Sequence, residues 1–95
     1  MAERTPLTPE EVQEHLSKLP DWSTDGDAIT RTFRFKSYKD GIAFVNGVAN
    51  AAEAADHHPD MALGYRRVVV TLTTHDAKGI TQKDFALAAE IDGLV

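Results

Sequence analysis

Residues 23–36 read STDGDAITRTFRFK, and this stretch decides the fold because it joins a turn signal to an alternating strand. The Asp25-Gly26 pair tolerates the positive φ angles that tight hairpin turns need. Alternation over positions 28–36 predicts a half-buried strand, with Ile29, Phe33 and Phe35 on one face and Thr30, Thr32 and Arg34 on the other. Trp22 begins a short extended segment before the turn. A hairpin without a crossover helix predicts an antiparallel sheet.

A second pair of extended segments occurs in the other half of the chain. A short stretch from Met61 to Gly64 leads into a strand predicted from Tyr65 to Thr74, where Val68, Val70 and Leu72 share one face. The residues from His75 to Gly79 are predicted to form a turn.

Three helices are predicted, and the first and third begin at capping patterns. Thr8, Pro9 and Glu11 form a capping box with proline at the first helical position, and the helix is predicted to end at Leu19-Pro20. The second helix is predicted from Ser37 or Tyr38 to Asp56, and the third begins at Thr81-Gln82-Lys83-Asp84. The apolar faces predicted for these two helices contain Ile42, Val45, Val48, Ala49, Ala52 and Ala55, and then Phe85, Ala88, Ala89 and Ile91.

The element order is therefore α-β-β-α-β-β-α. It predicts an α+β fold in which three helices pack on one face of a four-stranded antiparallel sheet. The chain has 95 residues, so we expect a single domain spanning 1–95.

Composition narrows the possible functions. The chain has no cysteine, which excludes disulfides and cysteine-based metal sites. Its formal net charge of −5 argues against a nucleic-acid partner. No apolar run approaches a membrane span and no secretory signal is visible, so we expect a cytoplasmic protein without membrane contact. A small domain without disulfides also favours self-association.

Three of the four histidines fall at the predicted ends of elements. His57 and His58 close the second helix, and His75 ends a strand, so the three side chains can converge on one cleft. Glu53, four residues before His57, is expected to orient that imidazole. His15 is expected to be solvated on a surface helix. Singly, each of these residues has an ordinary structural reading: a helix cap, a turn before proline, or a strand end.

Two other kinds of site are less well supported. Three histidines could hold a catalytic zinc, but adjacent histidines lack the i, i+4 spacing of ligands on a helix. Nucleophilic catalysis is poorly supported, because the chain has no cysteine and none of its serines is near the histidines in sequence.

Beyond these local patterns, the chain resembles one protein family. Glu53-Ala54-Ala55-Asp56-His57-His58-Pro59, five residues, Tyr65, nine residues, His75, eight residues and Asp84 match the signature of pterin-4a-carbinolamine dehydratases. The resemblance extends from about Leu7 to Val95. It implies the dehydration of 4a-hydroxytetrahydrobiopterin to quinonoid dihydrobiopterin, which recycles the pterin cofactor of aromatic amino-acid hydroxylases. It also implies that no metal or other cofactor is needed, and that the protein is a homodimer or homotetramer.

The resemblance also implies roles for individual residues. His57, His58 and His75 would be the acid–base set, with His58 or His75 protonating the hydroxyl group and His57 acting at N5. The residues expected to bind or orient the pterin are Glu53, Asp56, Met61, Thr73, Thr74 and Asp76, and those expected to support the site are Pro59, Tyr65 and Asp84. Met61 stands where some family members have a tryptophan, and methionine can still pack on a ring.

Two alternatives to the enzyme remain open from the sequence. A non-enzymatic pterin-binding or protein-interaction module, such as a dimerisation cofactor, is compatible with the small acidic chain. A metal-dependent hydrolase would instead use the histidines as ligands.

Overall fold

The computed structural model describes residues 5–95, so positions 1–4 of the predicted domain lie outside the described residues. The order of elements is α1 (Pro9–Leu16), β1 (Ser23–Thr24), β2 (Ile29–Arg34), α2 (Tyr38–Ala55), β3 (Asp60–Gly64), β4 (Arg67–Leu72), a 3₁₀ turn (His75–Ala77) and α3 (Gln82–Asp92). This confirms the predicted α-β-β-α-β-β-α order.

The four strands form one antiparallel sheet in the order β1-β2-β4-β3. β2 and β4, which are separated in sequence by α2 and β3, pair at the centre in a register that sets Ile29 opposite Leu72 and Phe33 opposite Val68. β3 pairs with β4 as a hairpin and forms one edge of the sheet. The other edge is β1, which has only two residues.

The core lies between the helices and one face of the sheet. Val68, Val70 and Leu72 are fully buried, as the alternating pattern predicts. All three helices contribute to the same cluster, through Val12 of α1, Val48 of α2 and residues of α3. The three-helix, one-face arrangement predicted from the sequence is therefore confirmed. None of the helices within residues 5–95 has the length and apolar character needed to cross a membrane.

Several predicted boundaries were wrong by a few residues. α1 ends at Leu16 rather than Leu19, because Lys18 and Leu19 donate to carbonyls three residues back in turns that do not continue the helix. The turn signal was taken to extend over residues 23–27, but Ser23 and Thr24 pair with Thr30 and Ile29 as β1. β4 begins at Arg67, because Tyr65 and Arg66 form the turn of the hairpin, and Arg66 has a positive φ of 59°.

The predicted helix faces also needed correction. In α2 the buried residues are Gly41, Phe44, Val48 and Ala52, whereas Ala49 and Ala55 are exposed. In α3 the alanine at position 89 is exposed, and the buried set instead includes Leu87 and the carboxylate of Asp84. The alanines did not indicate which face of each helix is buried, since alanine is small enough to occupy either face.

Candidate active site

The sheet brings two chain segments to the same end of the molecule. β3 begins at Asp60, which pairs with Thr71 near the end of β4. Because the two strands are antiparallel, the segment 57–59 that enters β3 and the segment 73–75 that leaves β4 lie at the same end of the sheet. This pairing places the two histidine-bearing segments at the same end of the sheet.

The end of α2 sets the direction in which the first two histidines leave the helix. Asp56 adopts the left-handed conformation, with φ 50° and ψ 43°, and the backbone N–H of His57 donates to the carbonyl of Ala52 at 3.1 Å. This is the usual geometry for stopping a helix, with aspartate where glycine is most common. Pro59 disfavours a helical conformation at His58. His57 and His58 therefore lie beyond the last turn of α2.

His57 is held by Asp84. Its Nε2 atom lies 2.6 Å from Oδ1 of Asp84, and the two side chains are 11% and 0% exposed. Asp84 is at the third position of α3, where its Oδ2 atom also accepts the backbone N–H of Thr81 at 2.9 Å and completes a capping box. A carboxylate in the first turn of a helix is favoured by the helix dipole. One carboxylate thus both caps α3 and orients the imidazole.

Thr74 and Thr81 surround the same carboxylate. The hydroxyl of Thr74 donates to Oδ2 of Asp84 at 2.9 Å and lies 2.8 Å from the hydroxyl of Thr81. Both threonines are buried. The family resemblance implied that Thr74 binds the pterin, but its hydroxyl is already engaged inside the protein. Thr81 was considered only as a helix start, and nothing in the sequence beyond this capping pattern marked it as part of a site.

His58 pairs with Glu53, whereas Glu53 was predicted to orient His57. Nε2 of His58 lies 2.5 Å from Oε2 of Glu53, and the two side chains are 57% and 76% exposed. The helical i, i+4 rule fails here because the left-handed residue Asp56 turns the chain before His57. His57 consequently takes its carboxylate from α3, and His58 takes the one on α2.

His75 directly follows Thr74 and begins the 3₁₀ turn, with Asp76 next to it; both are exposed. The backbone of Thr74 pairs with Gly79, which fixes the base of this turn. The hydroxyl of Thr73 donates to the carbonyl of Asp27 at 2.7 Å, so it ties the turn to the β1–β2 loop. His75 is therefore presented to solvent from a turn that is anchored at both ends.

Other predicted site residues have different positions. Met61 pairs with Val70 across the sheet and packs half-buried against the core. Pro59 connects His58 to β3. Tyr65 lies at the opposite end of the β3–β4 hairpin, 72% exposed, with its ring centroid 6.3 Å from that of Tyr38. The structure does not bring Tyr65 to the histidines of its own chain.

The sequence predicted that His15 is solvated, and this prediction was wrong. It is half-buried, and its ring stacks on Phe85 with centroids 4.8 Å apart. This contact joins α1 to α3 and explains His15 as a packing residue. Among residues 5–95 no group of three histidine, aspartate or glutamate side chains is placed to hold a metal ion.

Taken together, a largely buried imidazole–carboxylate pair beside an exposed one forms a site suited to proton transfer.

Comparison with known proteins identifies the family. Residues 5–94 match the model of the pterin 4 alpha carbinolamine dehydratase family, and the chain belongs to this family.

Relatives and solved structures agree with this assignment. The chain is 52% identical over 90 residues to a protein of Picosynechococcus, covering 95% of this chain and 98% of the relative. It is 53% identical over 89 residues to a protein of Chloroflexus aurantiacus, covering 94% and 96%. The names of both relatives assign them provisionally as pterin-4-alpha-carbinolamine dehydratases.

Two solved structures show the same fold. A transcriptional coactivator/pterin dehydratase from Brucella melitensis is 37% identical, with a TM-score of 0.91 and coverage of 95% of this chain and 98% of that one. A pterin dehydratase-like protein described as a RuBisCO assembly factor of the alpha-carboxysome is 26% identical, with a TM-score of 0.64 and coverage of 77% and 84%.

Proposed function

We propose that this protein dehydrates a pterin-4a-carbinolamine, 4a-hydroxytetrahydrobiopterin or a close analogue, to the quinonoid dihydropterin and water. The observation that carries the proposal is the hydrogen bond between His57 and the buried carboxylate of Asp84, at the end of the sheet from which His58 and His75 are also presented. Family membership supplies the substrate class, and this geometry supplies the proton-transfer groups.

The reaction needs two proton transfers and little else. The carbinolamine has a hydroxyl group on C4a next to the N5 amine. As the C4a–O bond breaks, the N5 lone pair forms the C4a=N5 double bond. One proton is delivered to the departing hydroxyl, and one leaves N5, so the products are water and the quinonoid pterin. Histidine side chains change charge near neutral pH and can serve in either role.

We assign the N5 side to His57 and the hydroxyl side to His58 or His75. An ionised carboxylate only accepts hydrogen bonds, so Asp84 holds the Nε2–H form of neutral His57 and leaves Nδ1 as the basic atom. The carboxylate also stabilises the imidazolium that forms when Nδ1 takes a proton. His58 and His75 are more exposed and can exchange protons with water.

Binding of the pterin is assigned to groups around these histidines. Asp56 and Asp76 are exposed carboxylates beside His57 and His75, and they can accept hydrogen bonds from the ring N–H groups. The half-buried Met61 offers an apolar contact on the β3 side. Glu53 acts through its hydrogen bond to His58, and Thr73 and Thr74 act by holding the 3₁₀ turn.

The decisive test is the dehydration of synthetic 4a-hydroxytetrahydropterin, followed by ultraviolet absorbance with and without a chelator. We expect acceleration over the spontaneous reaction that the chelator does not change. His57→Asn, His58→Asn and His75→Asn should each lower kcat, the largest loss reaching about 100-fold or more. His15→Asn is the control, because it removes a histidine that packs on Phe85. Wild-type turnover in all three site variants would contradict the assignment, and activity lost to the chelator would favour a metal-dependent enzyme.

Protein interaction is a second candidate function. The two solved structures named above are titled a transcriptional coactivator/pterin dehydratase and an assembly factor. In this chain the edge strand β3 exposes Leu63, and the adjacent turn exposes Tyr65. An open strand edge with apolar side chains can pair with another chain. We therefore also propose homo-oligomerisation. If the wild-type protein failed to accelerate dehydration, an interaction or pterin-binding role would become the leading candidate.

The partner in metabolism is proposed from what the family resemblance implies. A 4a-hydroxytetrahydropterin is the spent cofactor of an aromatic amino-acid hydroxylase, so such an enzyme would supply the substrate.

A further inference from the structure

We infer that Thr74 and Thr81 are positioning residues of this site. Their hydroxyl groups form a hydrogen-bond chain of fixed direction that ends on Asp84 and holds in place the carboxylate that fixes which nitrogen His57 presents to the substrate. The catalytic consequence rests on the proposed function, whereas the orientation of His57 can be measured without any reaction.

The burial pattern singles out this cluster. Among residues 5–95 the buried polar or charged residues are Thr74, Thr81 and Asp84, at 6%, 1% and 0% exposure. All three belong to one network, and His57 is the group it presents at the surface. Buried polar groups are costly unless they are satisfied, and a fully satisfied network holds one arrangement. No buried side-chain polar atom in this part of the chain lacks a partner.

The direction of the chain follows from the number of available protons. Oδ2 of Asp84 accepts from the backbone N–H of Thr81 and from the hydroxyl of Thr74, both at 2.9 Å. A threonine hydroxyl has one proton, so Thr74 has none left to give to Thr81. The 2.8 Å contact between the two hydroxyls therefore requires Thr81 to donate. Thr81 in turn accepts the backbone N–H of Lys83 at 3.3 Å.

The network leaves one oxygen of Asp84 for His57. Two donors occupy Oδ2 of Asp84, and Oδ1 faces Nε2 of His57. The carboxylate is held at both oxygens and cannot exchange them without breaking the network. The imidazole must then keep its proton on Nε2, and Nδ1 is directed away from Asp84 as the exchangeable atom. A shell of residues that fixes a tautomer in this way is a recurrent means of tuning a histidine.

A purely structural role for the cluster makes a different prediction. α1 has a capping box of the same kind, in which Thr8 and Glu11 bond to each other's backbone N–H groups without any histidine. If Thr81 and Asp84 only capped α3, the loss of either side chain would lower the free energy of unfolding and leave His57 and kcat unchanged. Thr8→Val is therefore the control for the loss of a threonine cap.

The first experiment measures the tautomer of His57 directly. Nitrogen-15 NMR of the histidine side chains in the wild-type protein, without substrate, distinguishes a protonated from an unprotonated ring nitrogen. We expect neutral His57 to carry its proton on Nε2, with Nδ1 unprotonated. We expect the Thr74→Val variant to shift both nitrogens toward the averaged values of a mixed population. A wild-type His57 protonated on Nδ1 would overturn the inference.

The second experiment orders the variants by their kinetic effect. Thr74→Val removes the hydroxyl that donates to Asp84, so kcat should fall about tenfold with KM within about twofold. Thr81→Val removes the upstream donor to Thr74, together with the acceptor for the backbone N–H of Lys83, and should cost about threefold in kcat. The double variant should be no worse than Thr74→Val by more than about twofold, since the upstream link has no further effect once Thr74 is lost. Thr74→Ser and Thr81→Ser keep the hydroxyls and should restore near wild-type rates.

The outcomes separate the two proposals. A larger loss for Thr81→Val than for Thr74→Val would reverse the direction of the chain and overturn the inference. So would variants that lower the thermal midpoint like Thr8→Val but leave kcat and the NMR signals of His57 unchanged. If the wild-type protein had no dehydratase activity but its His57 tautomer shifted in Thr74→Val as described, the positioning role would stand and the proposed function would fail.

Discussion

The Nε2 atom of His57 lies 2.6 Å from Oδ1 of Asp84, although 27 positions separate these residues in the sequence. The contact joins the segment that follows α2 to the first turn of α3. Asp84 is fully buried, and the His57 side chain is 11% exposed. A single hydrogen bond therefore connects the capping of a helix to the chemistry of the site, and most of the predictions below follow from it.

Asp84→Asn should lower kcat about 10–100-fold with a small change in KM. The amide has no negative charge to stabilise an imidazolium, and its NH₂ group can donate to Nε2 of His57 and reverse the tautomer. Steady-state kinetics with a 4a-hydroxytetrahydropterin measures the effect.

Glu11→Gln is the control for this variant. Glu11 holds the third position of α1 and accepts the backbone N–H of Thr8 at 2.9 Å, as Asp84 does for Thr81 in α3. Both substitutions replace a capping carboxylate by an amide, but only Asp84 contacts a histidine. Equal kinetic effects in the two variants would show that cap stability, rather than His57, explains the loss.

Glu53→Gln should have a smaller effect than Asp84→Asn. The Glu53–His58 pair is 76% and 57% exposed, and such pairs contribute only about 0–1 kcal/mol. We expect the free energy of unfolding to change by less than about 0.5 kcal/mol and kcat/KM to fall a few-fold at most, about two- to fivefold. The loss should also shrink at high salt, because exposed charges are screened. Kinetics at low and high ionic strength checks this, and a loss as large as that of Asp84→Asn would contradict it.

Asp56→Gly should separate the backbone role of Asp56 from any role of its carboxylate. Its φ of 50° favours glycine, so the variant should gain about 0.5–1 kcal/mol in the free energy of unfolding. Lys78→Gly is the matched variant, since Lys78 has a φ of 58° at the end of the 3₁₀ turn. If the Asp56 carboxylate binds the pterin, KM should rise in Asp56→Gly and not in Lys78→Gly. Urea denaturation and steady-state kinetics give the two readouts, and unchanged KM in both variants would exclude the binding role.

Asp92→Ala should destabilise the fold by about 2 kcal/mol without affecting catalysis. Oδ1 of Asp92 accepts from Arg31 at 2.7 Å and from the indole N–H of Trp22 at 2.8 Å, so its loss leaves two partly buried donors without that acceptor. Asp92 ends α3 about 12 Å along the helix from Asp84. Asp21→Ala is the control, because Asp21 is 69% exposed and 3.6 Å from Arg31, and it should cost less than about 0.5 kcal/mol. Urea denaturation measures both, and equal losses would contradict this account.

Acid should weaken the β1–β2 turn through Asp25. The backbone N–H groups of Asp27 and Ala28 donate to its carboxylate and lower the pKa of Asp25 below its ordinary value of 3.8. A carboxyl whose pKa is lower in the folded state contributes stability at pH values above the unfolded pKa. This contribution is lost as the pH falls through the folded pKa.

Carbon-13 NMR of the aspartate carboxyls gives the titration, with Asp25→Asn as the variant that lacks this contribution. The wild-type protein and Asp25→Asn should converge in stability at the acid end. A folded pKa for Asp25 at or above 3.8 would contradict the prediction.

Local rules in the sequence determined most of the secondary structure. The capping residues Thr8 and Thr81 begin α1 and α3 as predicted, because a cap depends on groups within about four residues. Ser37 caps α2 at one of the two starts predicted for that helix. Alternation likewise identified the buried face of β4, where Val68, Val70 and Leu72 have no exposure. The signature from Glu53 to Asp84 also predicted the family, and the match over residues 5–94 confirms it.

Tertiary structure decided which groups meet. The order β1-β2-β4-β3 places β4 beside β2 rather than only beside β3, and no local pattern encodes such pairing between distant strands. The carboxylate that pairs with His57 belongs to Asp84 and not to Glu53. The reason is the left-handed residue Asp56, which turns the chain out of the helical register on which the i, i+4 prediction depended. Thr81 joins the buried network because the start of α3 lies against Thr74, two residues after β4. Periodicity and capping act over a few residues, whereas these contacts depend on the packing of whole elements around a common core.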